Sequence, residues 1–464
     1  MKTMKIQNII LFASVALLFG SCGIYNKYDR PDTDFTGLVR DTASVSDTLA
    51  VTDTTSFGDL PWREVFTDPK LQALIEQGLE NNPDLLNAAL NVKIAKAQLL
   101  ASKLAFLPSL SFSPTGTLSS WDGHTPSKTY SLPIEASWSI DLFGNLLNAK
   151  RSSQMAMLAT KDYQLVVKTQ LISNIANAYY TLLMLDRELE IVESMCDLTK
   201  DTWRIMKLQK ELGNTNETGV ISAESSYYST LAQATDIRRS IRETENSLSL
   251  LIGQAAQTLD RGTFAEQSLP ETFSTGIAIS MLNNRPDVHY AEMSLAECFY
   301  NTAQARSNFY PSITISGSGA FTNSSGSGIV NPGKILLSAV GSLTQPLFMR
   351  GQLIAGLKVA KAQQEQAANT WKNAVLSAGA EVSNALVAYN SYDEKSRLDA
   401  QSVEILTKSV DMTKDLFKSK SATYLEVITA QTSLLSAQLS EVEDNFYKMQ
   451  AVVTLYYALG GGRQ

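Results

Sequence analysis

The chain has 464 residues, 44% hydrophobic and 18% charged, with a formal charge of −7 at pH 7. That balance argues against a nucleic-acid binder, whose partner's phosphates demand a basic face, and the hydrophobic content argues against a largely disordered chain. All 13 prolines lie at or before Pro133 or between Pro270 and Pro346, and residues 145–212 hold neither glycine nor proline over 68 positions. At ~1.5 Å per residue one helix there would be about 100 Å long. Helices of compact domains average about 11–12 residues, so an ordinary compact enzyme is a poor fit.

The N-terminus reads as an address. Lys2 and Lys5 precede the apolar run Ile9–Phe19 and then Gly20-Ser21-Cys22, the order of a secretory signal. A cysteine directly after the small pair reads as a bacterial lipoprotein signal over residues 1–21, with Cys22 the lipidated first residue. The other reading is a plain secretory peptide with an incidental cysteine. No later run reaches the ~18 apolar residues of a membrane helix, so any crossing by the mature chain falls to strands. Residues 22–62, rich in Thr, Ser and Asp, read as a lipid-anchored extended segment. Its aspartates suit no cation loop and read as a solvated face. Cys196 and Cys298 lack metal or redox spacing and read as packing residues.

From Pro69 onward the chain repeats itself. Asn82-Pro83-Asp84 recurs as Arg285-Pro286-Asp287, and Phe106-Leu107-Pro108-Ser109-Leu110 as Phe309-Tyr310-Pro311-Ser312-Ile313, both at an offset of 203. Leu142-Phe143 matches Leu347-Phe348 at 205, and Leu251-Ile252-Gly253 matches Ala458-Leu459-Gly460 at 207. The expected division is a first repeat over 63–253, an inter-repeat linker over 254–276, and a second repeat with a C-terminal tail over 277–464.

Within the first repeat a helix is expected over 84–106, followed by two alternating stretches. Tyr130, Leu132, Ile134, Ala136, Trp138 and Ile140 alternate with Thr129, Ser131, Pro133, Glu135, Ser137 and Ser139, a period of two that specifies a strand with one apolar face. Leu110, Phe112 and Leu118 keep that parity in the preceding strand. Long helices follow over 145–212 and 216–252, their apolar residues at coiled-coil spacing: Ile175, Leu182, Leu189, Cys196 and Trp203 step by sevens. The second repeat reads alike: helix 287–308, strands through Ile313–Phe321 and Leu337–Leu343, helices 351–419 and 423–459. Each half thus supplies one hairpin of strands about 10–12 residues long, the length that crosses a bilayer when tilted. In each half the two shorter helices together match the long one, so they can stack end to end beside it.

A single-chain transmembrane barrel needs at least about eight strands, and open strand edges cannot face lipid. Several copies must therefore share one barrel, continued by helices on one side of the membrane. A shared barrel joined to a helical tube is a conduit.

The residues that carry these features also resemble a known family. Cys22, the paired Pro-Asp helix starts, the Phe-x-Pro-Ser-hydrophobic strand entries, Asp141-Leu142-Phe143-Gly144 and the terminal Ala458-Leu459-Gly460-Gly461-Gly462 are similar, as an ordered set, to the TolC-like outer-membrane factors. The likeness is to the lipoprotein branch serving tripartite (RND-type) efflux systems, over nearly all of residues 61–462. It implies a mixed membrane α/β fold, internally duplicated, with two β-hairpins per protomer forming a twelve-stranded outer-membrane β-barrel shared by a homotrimer. A long α-helical coiled-coil barrel would continue it into the periplasm, with a mixed equatorial belt built partly from 69–81, 253–283 and the C-terminus. It implies docking to a periplasmic adaptor and an inner-membrane pump, contact with outer-membrane lipid in a Gram-negative cell, and no cofactor beyond the covalent lipid on Cys22.

The resemblance also directs attention to the turns of the long helices, Gly213–Gly219 and Lys418–Thr423. Gly213, Gly219 and Lys420 are expected at the tips that dock an adaptor. Lys420 stands where a tip glycine is usual. Tyr424–Gln431 resembles the family's constriction motif: Glu426 matches the first pore-facing carboxylate, while Thr429 takes the place of the second. Glu426 would then face a pore, or else be a surface residue paired with a lysine. Asp411 and Asp415 are weaker gate candidates, and Phe417 either plugs the tip or packs.

Enzyme chemistry finds little to recruit. His124 falls in an expected external loop and His289 near a helix start, each without an evident ligand partner, and no Gly-x-Ser-x-Gly elbow occurs. Two other functions remain open at this level: the exit duct of a type I protein secretion system, and a lipid-anchored periplasmic coiled-coil scaffold without a channel.

Overall fold

The computed structural model describes residues 25–31, 57–120, 122–123, 125–270, 285–323, 334–419 and 421–463. Cys22, His124, Lys420, most of the 22–62 segment and much of both strand-connecting loops lie outside them. The chain forms two compact units. One comprises residues 1–33, 90–161 and 290–373, and the other residues 34–89, 162–289 and 374–464.

The helical elements, in chain order, are α1 (Trp62–Val65), α2 (Pro69–Asn81), α3 (Pro83–Leu104), α4 (Asn145–Glu211), α5 (Glu217–Leu251), α6 (Pro286–Ser307), α7 (Gln352–Lys418) and α8 (Tyr424–Ala458). The strands are β1 (Ser109–Phe112), β2 (Thr115–Ser119), β3 (Ser127–Ile140), β4 (Ser312–Asn323) and β5 (Lys334–Thr344). The expected long helices stand to within two residues at each end. α4 and α7 each run 67 residues without a break, about 100 Å at the usual rise. The duplication is also regular: α4 and α7, like α5 and α8, correspond at a constant offset of 207.

In the first unit the strands form one antiparallel sheet, ordered β1–β3–β4–β5, with β2 also on β3. The expected first strand is broken at Ser113-Pro114. Its register is nevertheless unbroken, with Phe112 opposite Ile134 and Thr115 opposite Ser131. The Ser113 amide still donates to the Pro133 carbonyl, at 3.4 Å. Pro133 has no N–H to return that bond, so one rung of the ladder is missing and the strand divides there. Partners across an antiparallel ladder share a face. Leu132 lies opposite Phe321, Trp138 opposite Ile315 and Ile313 opposite Leu343. Apolar side chains are thereby gathered on one face and serines and threonines on the other. The apolar face is uncovered, Leu337 being 78% and Leu110 75% exposed. The edges, β1/β2 and β5, have no further strand among the described residues.

The second unit holds the main core. Phe66, Leu71, Ile75, Ile172, Ile175, Leu182, Leu183, Leu248 and Ile252 are buried together with Val382, Phe446, Tyr456 and Leu459. Each such side chain contributes roughly 1.5–3 kcal/mol relative to exposure. The linker after α5 belts this core. Arg261 grips Asp186 of α4 at 2.5 and 2.9 Å and Glu245 of α5 at 2.6 Å. Asp68 caps α2 through the Lys70 amide. It also accepts hydrogen bonds from Tyr179 Oη at 2.5 Å and Gln267 Nε2 at 2.9 Å.

Two of the repeated sequence landmarks meet in space. Asn82 Nδ2 donates to the carbonyl of Leu251, the last residue of α5, at 2.9 Å. Its counterpart Arg285 donates through Nη1 to the carbonyl of Ala458, the last residue of α8, at 2.8 Å. Both side chains are buried. Each therefore butts the end of a returning helix against the proline that starts a short one, the end-to-end stacking expected from length. The first staple is neutral. The second is ionic, Arg285 also binding Asp287 and Glu381, each at 2.7 Å. Burial opposes the Arg285 charge, but Asp287 and then Glu381 more than offset it and hold its proton tighter than usual.

Candidate functional site

The expected site residues lie at the two helical hairpin tips, in the second unit. The first tip ends α4 in a Schellman motif. Gly213, at φ +69°, donates to Lys210, and Asn214 donates to the Gln209 carbonyl at 2.8 Å. Asn216 then caps α5 by accepting from Gly219 N at 3.0 Å. Gly219 is therefore a first-turn helix residue and not part of the turn, correcting the expected boundary. A Cβ there would meet Met206 Cε at 2.7 Å, so its smallness serves packing. At the second tip the Ser421 amide donates to the Leu416 carbonyl at 2.8 Å.

Glu426 sits at the third position of α8 and closes a capping box with Thr423. Its carboxylate accepts from the Thr423 amide at 2.5 Å and the Thr423 hydroxyl at 2.9 Å, while its own amide donates back to Thr423 Oγ1. The Thr423 amide first, and then the hydroxyl, hold the Glu426 carboxyl below its ordinary range. Among the described residues Glu426 has no lysine partner. Thr429 turns its hydroxyl onto the Leu425 carbonyl at 2.7 Å. Asp411 is exposed, and Asp415 pairs with Lys418 at 3.1 Å. Phe417 packs with Tyr424 against Met206, Val220 and Ala223 of the first hairpin. A cleft of about 240 Å³ lies between the tips, bordered by Gln209, Thr215, Phe417, Ala422 and Tyr424.

Other residues are placed plainly. His289, expected without a partner, bonds Asp162 through Nδ1 at 2.7 Å. Cys196 and Cys298 are free thiols, the first buried in a cluster of α4 and α5 residues. Sequence reasoning missed the roles of Arg285, Arg261 and Asp68, although Arg285 lay inside a recognised landmark. Among the described residues no group of three or more His, Cys, Asp or Glu could hold a metal ion, and no helix is long and apolar enough to cross a membrane.

A duplicated chain with two amphipathic hairpins in one open sheet and two tip-capped pairs of very long helices has the makings of a membrane conduit. The profile of the outer membrane efflux protein family matches it twice, over residues 74–254 and 279–461. The chain belongs to that family. The cation efflux system protein CusC of Escherichia coli O157:H7 is 26% identical over 460 residues, covering 97% of this chain and 98% of that one. The probable outer membrane lipoprotein SilC of Salmonella typhimurium is 25% identical over 98% of each chain. A solved CusC structure aligns with a TM-score of 0.83 at 25% identity, over 94% of this chain and 99% of that one. The fold is that of the TolC-like outer-membrane channels, and the chain is an outer-membrane exit duct for efflux. The family is one of channel proteins rather than enzymes.

Proposed function

We propose that three copies of this chain close their sheets into one twelve-stranded barrel in the outer membrane. The helical hairpins form the periplasmic tunnel, through which small molecules pass from a periplasmic adaptor and an inner-membrane pump. One observation carries this reading: a four-strand-wide sheet with an uncovered apolar face and two open edges, β1/β2 and β5. Unpaired backbone groups cost several kcal/mol each in lipid, and four strands are half the smallest single-chain barrel. Pairing β5 of one copy with β1/β2 of the next removes every edge.

Cys22 carries the lipid in this reading. Tyr25 Oη donates to the Leu142 carbonyl at 2.5 Å, just beyond β3. Three residues of chain reach at most about 10 Å, which suits an anchor beside the end of the sheet. The tips at Gly213, Gly219 and Lys420 serve adaptor docking. Three copies of Glu426, exposed and ionised, ring the closed end with Thr429, Asp411 and Asp415 nearby, and favour cations there. The mass of the detergent-solubilised particle tests the assembly: three chains are expected, and a single chain would contradict it. Mass spectrometry of the mature N-terminus tests the lipid, which a Cys22→Ser variant should lack.

A further inference from the structure

The two helical hairpins are related by the 207-residue offset, yet their interiors differ at one level. In the first, Val192 of α4 and Ile237 of α5 are buried in one apolar cluster with Leu185 and Ala234. Their counterparts in the second are Asp399 of α7 and Asp444 of α8. Asp444 is only 3% exposed. Its Oδ1 accepts from Lys395 Nζ at 2.7 Å, while its Oδ2, like Oδ2 of Asp399, is buried without a hydrogen-bond donor from the protein. Lys395, one helical turn before Asp399 on α7, reaches across to Asp444, and the counterparts Val192 and Ile237 pack in one cluster, so the two carboxyl groups face each other across the helix pair. Two carboxylates this close cannot both ionise freely, and a single proton placed between them supplies the donor both lack.

We propose that Asp399 and Asp444 share one proton across the α7–α8 interface, so that the second hairpin is clamped in acid and loosened as the pH rises. The surrounding charges are accounted for on every packed element. On α7, Lys395 is bound to Asp444, and Asp393 is engaged with Arg397 and, at 2.6 Å, with Lys448. On α8, Glu441 adds negative charge beside Asp399. On α4, Glu188 stands near Glu443 and is pushed up to about 7, by burial first and then by that neighbour. The hydrogen bond with Asp444, followed by burial, raises the Asp399 carboxyl above its ordinary range, and Lys395 works the other way. A carboxyl that binds its proton more tightly folded than unfolded stabilises fully at low pH, and that contribution fades as pH rises through the folded value. Tyr392 and Tyr447, stacked at 5.1 Å, and the Lys395 bond keep the helices adjacent in either state.

Hydrogen exchange on the full-length protein in detergent tests the clamp, read as protection of amides near 396–402 and 441–447 after correction for intrinsic exchange. Asp399→Asn supplies a permanent donor. It should raise protection several-fold over wild type at pH 8, with the excess fading as the pH falls and the wild-type pair takes up its proton. Glu188 contributes equally to both proteins and cancels in the comparison. An excess that is flat with pH, or absent throughout, would overturn the proposal. Lys395→Met, which removes the competing cation, should move the midpoint of the wild-type pH response upward, and an unmoved or lowered midpoint would count against it. A response to added magnesium or calcium instead of pH would also overturn it, assigning the pair to a cation.

Discussion

Arg285 and Asn82 do the same job with different chemistry, and the difference has measurable consequences. Arg285→Ala removes a buried guanidinium that holds a helix-end carbonyl and two carboxylates. Because Asp287 and Glu381 stay partly hydrated, the loss should fall near the low end for a broken buried pair, about 3 kcal/mol. Asn82→Ala removes a cap and one carbonyl bond and should cost about 1–2 kcal/mol. Chemical denaturation of the two variants side by side checks the order, and an Asn82 variant as damaged as the Arg285 variant would refute the ionic staple. Glu426 is the other residue on which much turns. Its lowered pKa means the capping contribution is fully present above the ordinary carboxylate range and is lost as pH falls through the folded value. Amides at the start of α8 should therefore exchange faster in strong acid in the wild type, whereas Glu426→Ala should exchange fast at every pH. As a gate residue, Glu426→Ala should also raise conductance. Unchanged conductance in both proteins between about pH 4 and 8 would leave it a cap alone.

At the scale of elements, helix ends are held by a few glycines under different constraints. Gly213 has φ +69° with open space around its missing Cβ, whereas Gly253 has φ +71° and would place a Cβ 2.5 Å from the Asn81 carbonyl oxygen. Gly213→Ala should cost only the left-handed penalty of about 1–2 kcal/mol, and Gly253→Ala clearly more, as thermal melts of the two variants would read. Equal losses would mean that the contact at Asn81 relaxes freely. These same residues explain what was legible in advance. Pro83, Pro286, Gly213 and Gly253 punctuate the chain, so helix ends emerged within two residues and the duplication with them. The broken strand did not emerge, although Pro114 and Pro133 were both in view, because only the register sets Pro133 opposite Ser113. For the same reason Asp399 and Asp444, and His289 and Asp162, could not be paired: helical periodicity gives each residue a face but not the partner across it. Glu426 was picked out by resemblance to a constriction motif, and its bond to Thr423 is local chemistry that the Thr-x-x-Glu spacing could have shown.

For the whole molecule, the account rests on a sheet that is incomplete within one chain. Its apolar face, from Leu110 to Leu343, is uncovered, and its serine- and threonine-rich face is suited to a wet interior. A lipid-anchored scaffold would have the long helices, but it has no use for such a sheet in each copy. A conduit requires it, because the strands make the wall that lipid touches. The most direct measurement is ion conductance of the purified full-length protein in planar bilayers. The account predicts discrete pores from the assembled particle and none from dissociated chains. An assembled, membrane-inserted particle that conducts no ions under any condition, even with Glu426 removed, would contradict it.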